Sequence, residues 1–126
     1  MICEFSYKAR PLRIEYPGAF YHVINRGNAK EKILELEEAD TIFIGGTGGD
    51  TKEIVELSEN KLRSGGRIVI GIILIETFYS VLQVLKKLHF ESVDITQITV
   101  SKSRETTAGT MMLARNPVTI ISATKT

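Results

Sequence analysis

Hydrophobic positions along this chain alternate between short β-branched runs and stretches in which apolar residues recur every three or four positions. The clearest switch lies at Asp40–Lys52, where the run Thr41–Ile44 meets four glycines within five residues, then Asp50, then helical periodicity. This order predicts strand, loop and helix. Thr51–Arg63 reads as an amphipathic helix with Ile54, Val55, Leu57 and Leu62 inward, Asp50 or Thr51 as its N-cap and Gly65–Gly66 as its stop. Arg67–Ile73 is nearly continuous in apolar residues, as expected of a parallel strand buried on both faces. Glu76–Leu88 is predicted as a second helix, its stripe carried by Ile75, Phe78, Tyr79, Leu82, Leu85 and Leu88.

Beyond it, Glu91–Lys102 reads as one long strand, and Gly109–Ala114 with Val118–Ala123 as another, broken at Asn116–Pro117. Ser103–Ala108 between them is polar and lacks periodicity. Upstream, Ala29–Glu38 reads as a short helix with Ile33, Leu34 and Leu36 apolar, and Phe20–Arg26 as a strand that pairs with Leu12–Tyr16 across Pro17–Gly18. Alternating strands and helices predict an α/β domain whose sheet is parallel, with a last strand returning antiparallel.

Composition narrows the classes. At 126 residues, 43% hydrophobic and 25% charged, the chain holds one domain's worth of core. No apolar run reaches the ~18 residues of a membrane span, and the longest, Ile68–Ile75, is interrupted by Gly71 and reads as a strand entering a helix. The N-terminus carries Glu4, Lys8 and Arg10 and no apolar signal core, so the cytoplasm is the expected location. Cys3 is the only cysteine, and His22 and His89 are far apart, so no disulfide and no metal site are expected. Residues 1–33 hold six Lys/Arg against three Asp/Glu, whereas the chain as a whole is only +1. Such a basic start suits a solvated tail or a nucleic-acid contact.

The glycine loop fits no cofactor fingerprint in full. A phosphate-binding P-loop needs Lys-Ser/Thr directly after its last glycine, and Gly49 is followed by Asp50. A dinucleotide fingerprint beginning at Gly46 needs glycine at position 51, where Thr51 stands. The first loop of a methyltransferase carries an acid near its strand's end, where this chain has Phe43 or Ile44. The loop therefore reads as that of a later strand, facing substrate.

The segments Ala39–Gly49, Leu62–Ile70, Glu76–Thr77 and Gly109–Val118 make the chain from about Leu34 onward resemble the second half of the decarboxylating precorrin-6Y methyltransferases, which methylate carbon 15 of a corrin precursor. The resemblance implies part of a class I, Rossmann-like sheet dependent on S-adenosylmethionine, with Thr41–Ile44 as strand four, Arg67–Ile73 as strand five, Glu91–Lys102 as strand six and Met111–Ala123 as strand seven. It implies that Gly45, Gly46, Thr47, Gly48 and Gly49 face the acceptor, that Arg104 and Thr110 wall a polycarboxylated tetrapyrrole, and that Asn28, Ala29 and Gly45 touch the cofactor. No side-chain nucleophile is implied, because methyl transfer rests on positioning. Gly71 departs from the pattern, which is expected to have Asn there.

Strands one to three of that fold have no counterpart before Leu34. Residues 9–28 instead resemble the opening of single-tyrosine, insertion-sequence transposases, although no His-x-His pair follows. The expectation is a hybrid, with a transposase-like segment at 1–33 and the carboxyl half of a methyltransferase domain at 34–126. Such a chain is expected to bind S-adenosylmethionine weakly and to expose the edge of Thr41–Ile44 unless the 12–26 hairpin or a partner covers it. Two other roles stay open, a nucleic-acid-binding remnant and a non-catalytic homo-oligomeric module.

Overall fold

The computed structural model describes residues 21–24, 29–35, 37–45 and 50–126. Among them, five strands form one mixed sheet in the order β1-β2-β3-β7-β4, and β5 and β6 form a separate two-stranded ribbon. The strands are β1 (Tyr21–Ile24), β2 (Ala39–Gly45), β3 (Leu62–Ile72), β4 (Glu91–Ile98), β5 (Ser101–Thr106), β6 (Gly109–Ala114) and β7 (Val118–Thr124). The helices are α1 (Ala29–Glu35), α2 (Thr51–Lys61) and α3 (Ile75–Lys87). β1, β2 and β3 run parallel, and β7 lies antiparallel between β3 and β4, so the returning last strand is as the alternation predicts.

The register explains the core. Ile44, Ile70 and Ile121 stand side by side across β2, β3 and β7, and all three are fully buried. They share one face with Ile42, Ile68 and Ala123, and the core continues through Ile54 and Val55 of α2 and Val81, Val84 and Leu85 of α3. Burying each large aliphatic side chain contributes about 1.5–3 kcal/mol. Facing the other way, Phe43 is 42% exposed and Val69 only half-buried. β3 therefore alternates between buried and open positions and is not buried on both faces, because the described helices cover one face of the sheet.

Several boundaries differ from the periodicity. α2 ends at Lys61 and Leu62 already begins β3, so Gly65–Gly66 does not stop the helix. These glycines lie in an irregular entry to β3, where the pairing jumps from Ala39–Leu62 to Thr41–Arg67. Gly65 has a φ of 79°, and at Gly66 a Cβ would meet the Arg63 carbonyl oxygen at 2.8 Å and that of Asp40 at 3.0 Å. Backbone geometry at the sheet's amino edge is thus what calls for them. Asp50 is the N-cap of α2 but makes no side-chain capping bond. The buried side of α3 is turned from the expected stripe: Ile75 and Tyr79 are 80% and 65% exposed, and Val81 and Val84 are buried in their place.

The long strand expected at Glu91–Lys102 divides into β4 and β5, and Ser103–Ala108 contains strand where a loop is expected. Likewise, β6 and β7 belong to different sheets on either side of Asn116–Pro117. The Arg115 N–H donates to the Val100 carbonyl (2.8 Å), extending the β5–β6 pairing by one residue up to that break. Upstream, β1 lies within the expected Phe20–Arg26 strand and pairs with β2 from Tyr21–Thr41 to Ile24–Ile44, so the edge of β2 is covered. Leu12–Tyr16, the other arm of the expected hairpin, falls outside the described residues.

Candidate functional site

β2 and β3 run parallel, and both end their pairing in glycine. Gly45 stands directly opposite Gly71 at the carboxyl edge, the edge at which open α/β sheets bind ligands. The pairing places both on the open face with Phe43 and Val69, one position off the buried Ile44–Ile70 row. At Gly71 a Cβ would meet nothing closer than the Ile44 carbonyl oxygen at 3.9 Å. Packing therefore does not demand this glycine. What it gives is a floor without side chains, over which a flat or bulky group can approach the backbone.

The remaining residues expected at the site divide into three groups. Gly46, Thr47, Gly48, Gly49 and Asn28 lie outside the described residues, and Ala29 is the first residue of α1. Flanking the loop, Lys30 of α1 pairs with Glu53 of α2, and its Nζ stands 3.8 Å from Asp50 Oδ2. The hydrogen bond to Glu53 raises the Lys30 pKa, and that from Lys30 lowers the Glu53 pKa. These charges tie the loop's exit to the preceding helix.

Arg104 and Thr110 are both on the exposed ribbon, but they occupy opposite faces. Arg104 pairs with Met111, beside the Lys102–Leu113 pair two positions along, whereas Thr110 pairs with Glu105, one position out of phase. With a two-residue period, one wall cannot use both side chains. Ser103–Thr110 is a hairpin and not an irregular loop, so the expected wall would present Arg104 on one face of the ribbon and Thr110 on the other.

The sequence reading overlooks a groove at the base of this ribbon. Ile73, Leu74, Ile75 and Phe78 form its wall around the start of α3, and Ile95, Gln97, Asn116, Pro117 and Thr119 form its side along β4 and β7. Its volume is about 790 Å³. Gln97 Nε2 donates to Thr119 Oγ1 at 3.5 Å, linking the two strands within it. The available signals were the apolar residues continuing past the end of β3 and the Asn116–Pro117 break.

The parallel β1-β2-β3 arrangement, the antiparallel β7 inserted beside β4 and the glycines at the carboxyl edge define a Rossmann-like sheet of the fold found in methyltransferases. The chain belongs to the precorrin methyltransferase domain family, whose model matches residues 16–125. It is 44% identical over 104 residues to a probable cobalt-precorrin-6B C(15)-methyltransferase (decarboxylating) of Saccharolobus solfataricus, covering 82% of this chain and 52% of that protein. The protein of the same description from Methanothermobacter thermautotrophicus is 38% identical over 95 residues, covering 75% of this chain and 49% of that protein. The chain thus spans about half the length of these curated relatives.

Among solved structures, precorrin 8W decarboxylase of Methanobacterium thermoautotrophicum superposes with a TM-score of 0.66 at 28% identity, over 83% of this chain and 69% of that one. A precorrin-6Y C5,15-methyltransferase of Geobacter metallireducens shares the fold with a TM-score of 0.68 at 24% identity, over 86% of this chain and 69% of that one. The family match begins at residue 16, so Tyr16–Asn28 lies inside it, and the transposase resemblance of residues 9–28 gains no support from these comparisons.

Proposed function

We propose that this chain serves the S-adenosylmethionine-dependent methylation of carbon 15 of a cobalt-precorrin or precorrin, with loss of a carboxylate, in cobalamin biosynthesis. The observation that carries this reading is the in-register Gly45–Gly71 pair at the carboxyl edge of a sheet whose sequence matches the family over residues 16–125. S-adenosylmethionine, when bound, supplies an electrophilic methyl group. The chain's own part is to hold the acceptor carbon over a floor kept free of side chains, and proximity accounts for much of the acceleration. By resemblance, we assign contact with the acceptor to Gly45 and the residues to Gly49, and contact with the donor to Asn28, Ala29 and Gly45.

Two further features complete the proposal. No helix among the described residues is long and apolar enough to cross a membrane, and we place the reaction in the cytoplasm. Self-association is supported by the ribbon, on which Met111, Met112 and Leu113 are exposed on two faces. Light scattering is expected to report a multimer.

The experiment is a single-turnover incubation of the full chain with S-adenosylmethionine and a precorrin-6-type acceptor, followed by mass spectrometry. The expected product has gained one methyl group and lost carbon dioxide. Acceptor recovered unchanged under saturating S-adenosylmethionine would overturn the reading. Calorimetry of this chain alone is expected to show donor binding weaker than micromolar, since the chain spans about half the length of those relatives.

A further inference from the structure

Lys30 and Asp50 are the first residues past the two segments assigned above to the donor and the acceptor: Lys30 follows Ala29, and Asp50 follows Gly49. β1 and β2 are parallel neighbours, so the chain leaves both at the carboxyl edge, after Ile24 and after Gly45, and continues into α1 and α2, which pack side by side. There the Lys30 ammonium pairs with the Glu53 carboxylate and stands 3.8 Å from Asp50 Oδ2. Asp50 is the N-cap of α2 yet makes no side-chain capping bond, so its carboxylate serves Lys30 and not the helix. One cation thus spans the entries to both helices.

Stability does not account for this arrangement. All three side chains reach solvent, and exposed ion pairs add little to stability and are screened by salt. Burial of Ile33 anchors α1, and burial of Thr51, Ile54, Val55 and Ser58 anchors α2. What burial leaves open is where the first turn of α1 stands relative to the first turn of α2, because a helix of seven residues is marginal on its own. Lys30 and Glu53 are both charged near neutral pH, since their hydrogen bond raises the Lys30 pKa and lowers that of Glu53. The tie is therefore complete in that range.

Position is what the tie controls. Methyl transfer rests on holding donor and acceptor in line, and a displacement of about 1 Å at such a site costs up to ~100-fold in rate. We infer that Lys30 is a positioning residue for methyl transfer: through Glu53 and Asp50 it fixes the start of α2, which follows the acceptor segment, against the start of α1, which follows the donor segment. In this role it acts through the two carboxylates and not on either substrate. The inference rests on the methyltransferase reading above and adds to it the residue that sets the spacing of the two segments. The strength of an exposed pair bounds the effect at about fivefold.

The test is single-turnover methyl transfer from S-adenosylmethionine to a precorrin-6-type acceptor by the full chain, with the concentration of folded protein fixed by circular dichroism. Lys30→Met and Glu53→Gln are each expected to lower the rate at saturating substrates about three- to fivefold, while the acceptor concentration giving half that rate stays within about twofold. The double variant is expected to lose no more than either single one, as for two members of one interaction. Lys30→Arg keeps the charge and is expected to recover the parent rate to within about twofold. Lys52→Met removes an exposed cation from the same turn of α2 and is expected to stay within about twofold as well. Equal rates for the parent and Lys30→Met would overturn the positioning role and leave the methyltransferase reading intact. Equal slowing by Lys52→Met would overturn it by assigning the effect to net charge, and faster transfer by Glu53→Gln would overturn it by showing that the carboxylate repels the acceptor. Acceptor recovered unchanged from the parent itself would remove the methyltransferase reading and this role together.

Discussion

Gly45 and Gly71 face each other across β2 and β3, yet only one of the sheet's two glycine sites is required by packing. Gly66, at the amino edge, is buried against the Arg63 and Asp40 carbonyl oxygens, whereas a methyl group at Gly71 would make an ordinary contact at 3.9 Å. Gly66→Ala is therefore expected to destabilise the chain by about 1–3 kcal/mol, as overpacking against backbone does. Gly71→Ala is expected to stay within about 0.5 kcal/mol. Urea unfolding of the two variants checks the contrast, and equal losses would show that Gly71 is a packing glycine after all.

Lys125 joins the chain's end to the carboxyl terminus of α2. Its Nζ donates to the Glu59 carbonyl at 2.6 Å and the Leu62 carbonyl at 2.9 Å, and lies 3.5 Å from the Glu59 carboxylate. Its backbone exchanges hydrogen bonds with Gly65 and Gly66, each 2.8 Å. A cation at the carboxyl end of α2 is favoured by the helix dipole as well as by these hydrogen bonds. Lys125→Met keeps the aliphatic stem and is expected to cost about 1–3 kcal/mol in urea unfolding. A midpoint equal to the parent's would show that water replaces the ammonium without loss.

The turn after α3 holds a non-glycine residue in left-handed backbone. His89 has a φ of 60°, with its N–H donating to the Lys86 carbonyl (3.2 Å) and the Phe90 N–H donating to the Leu85 carbonyl (3.0 Å). This is the glycine-preferring cap that ends many helices. His89→Gly is expected to raise stability by about 0.5–1 kcal/mol, visible as a higher melting temperature. A lower melting temperature would mean that the His89 side chain contributes more than its backbone conformation costs.

The Lys30–Glu53 pair sets a pH window. Glu53 is lowered by the hydrogen bond from Lys30, so its contribution is complete above the ordinary carboxylate range and is lost as pH falls through its depressed value. Lys30 is raised by the same bond, so its contribution is complete below the ordinary lysine range and is lost as pH rises through its raised value. The stability difference between parent and Glu53→Gln is thus expected to be flat near neutrality and to vanish at both extremes, shrinking in high salt. A difference that persists at acid pH would assign the effect to something other than this pair.

Much of the fold was legible because periodicity reports burial. The apolar face of α2 appears in the sequence as Ile54 and Val55, and β2 ending at Gly45 and α2 beginning at Thr51 stand within the switch read at Asp40–Lys52. The ends were less legible because tertiary hydrogen bonds decide them. Leu62 leaves α2 for β3 while Lys125 holds the carbonyls there, so the helix stops before its glycines. The buried Ser58 is likewise invisible to a hydrophobic pattern, since its hydroxyl donates to the Ile54 carbonyl at 2.6 Å. At the site, the glycine floor was readable from composition, but the two faces of the β5–β6 ribbon depend on a register that polar residues such as Ser103 and Thr106 do not announce.

The most direct test of the acceptor floor is single-turnover methyl transfer by the parent and by Gly71→Val, read by mass spectrometry of the tetrapyrrole. A Cβ added at Gly71 meets nothing closer than the Ile44 carbonyl oxygen at 3.9 Å, and it projects from the floor beside Gly45. The account predicts product carrying one more methyl group and one fewer carboxylate from the parent, and its loss in Gly71→Val at an unchanged urea midpoint. Equal turnover by the two proteins would contradict it.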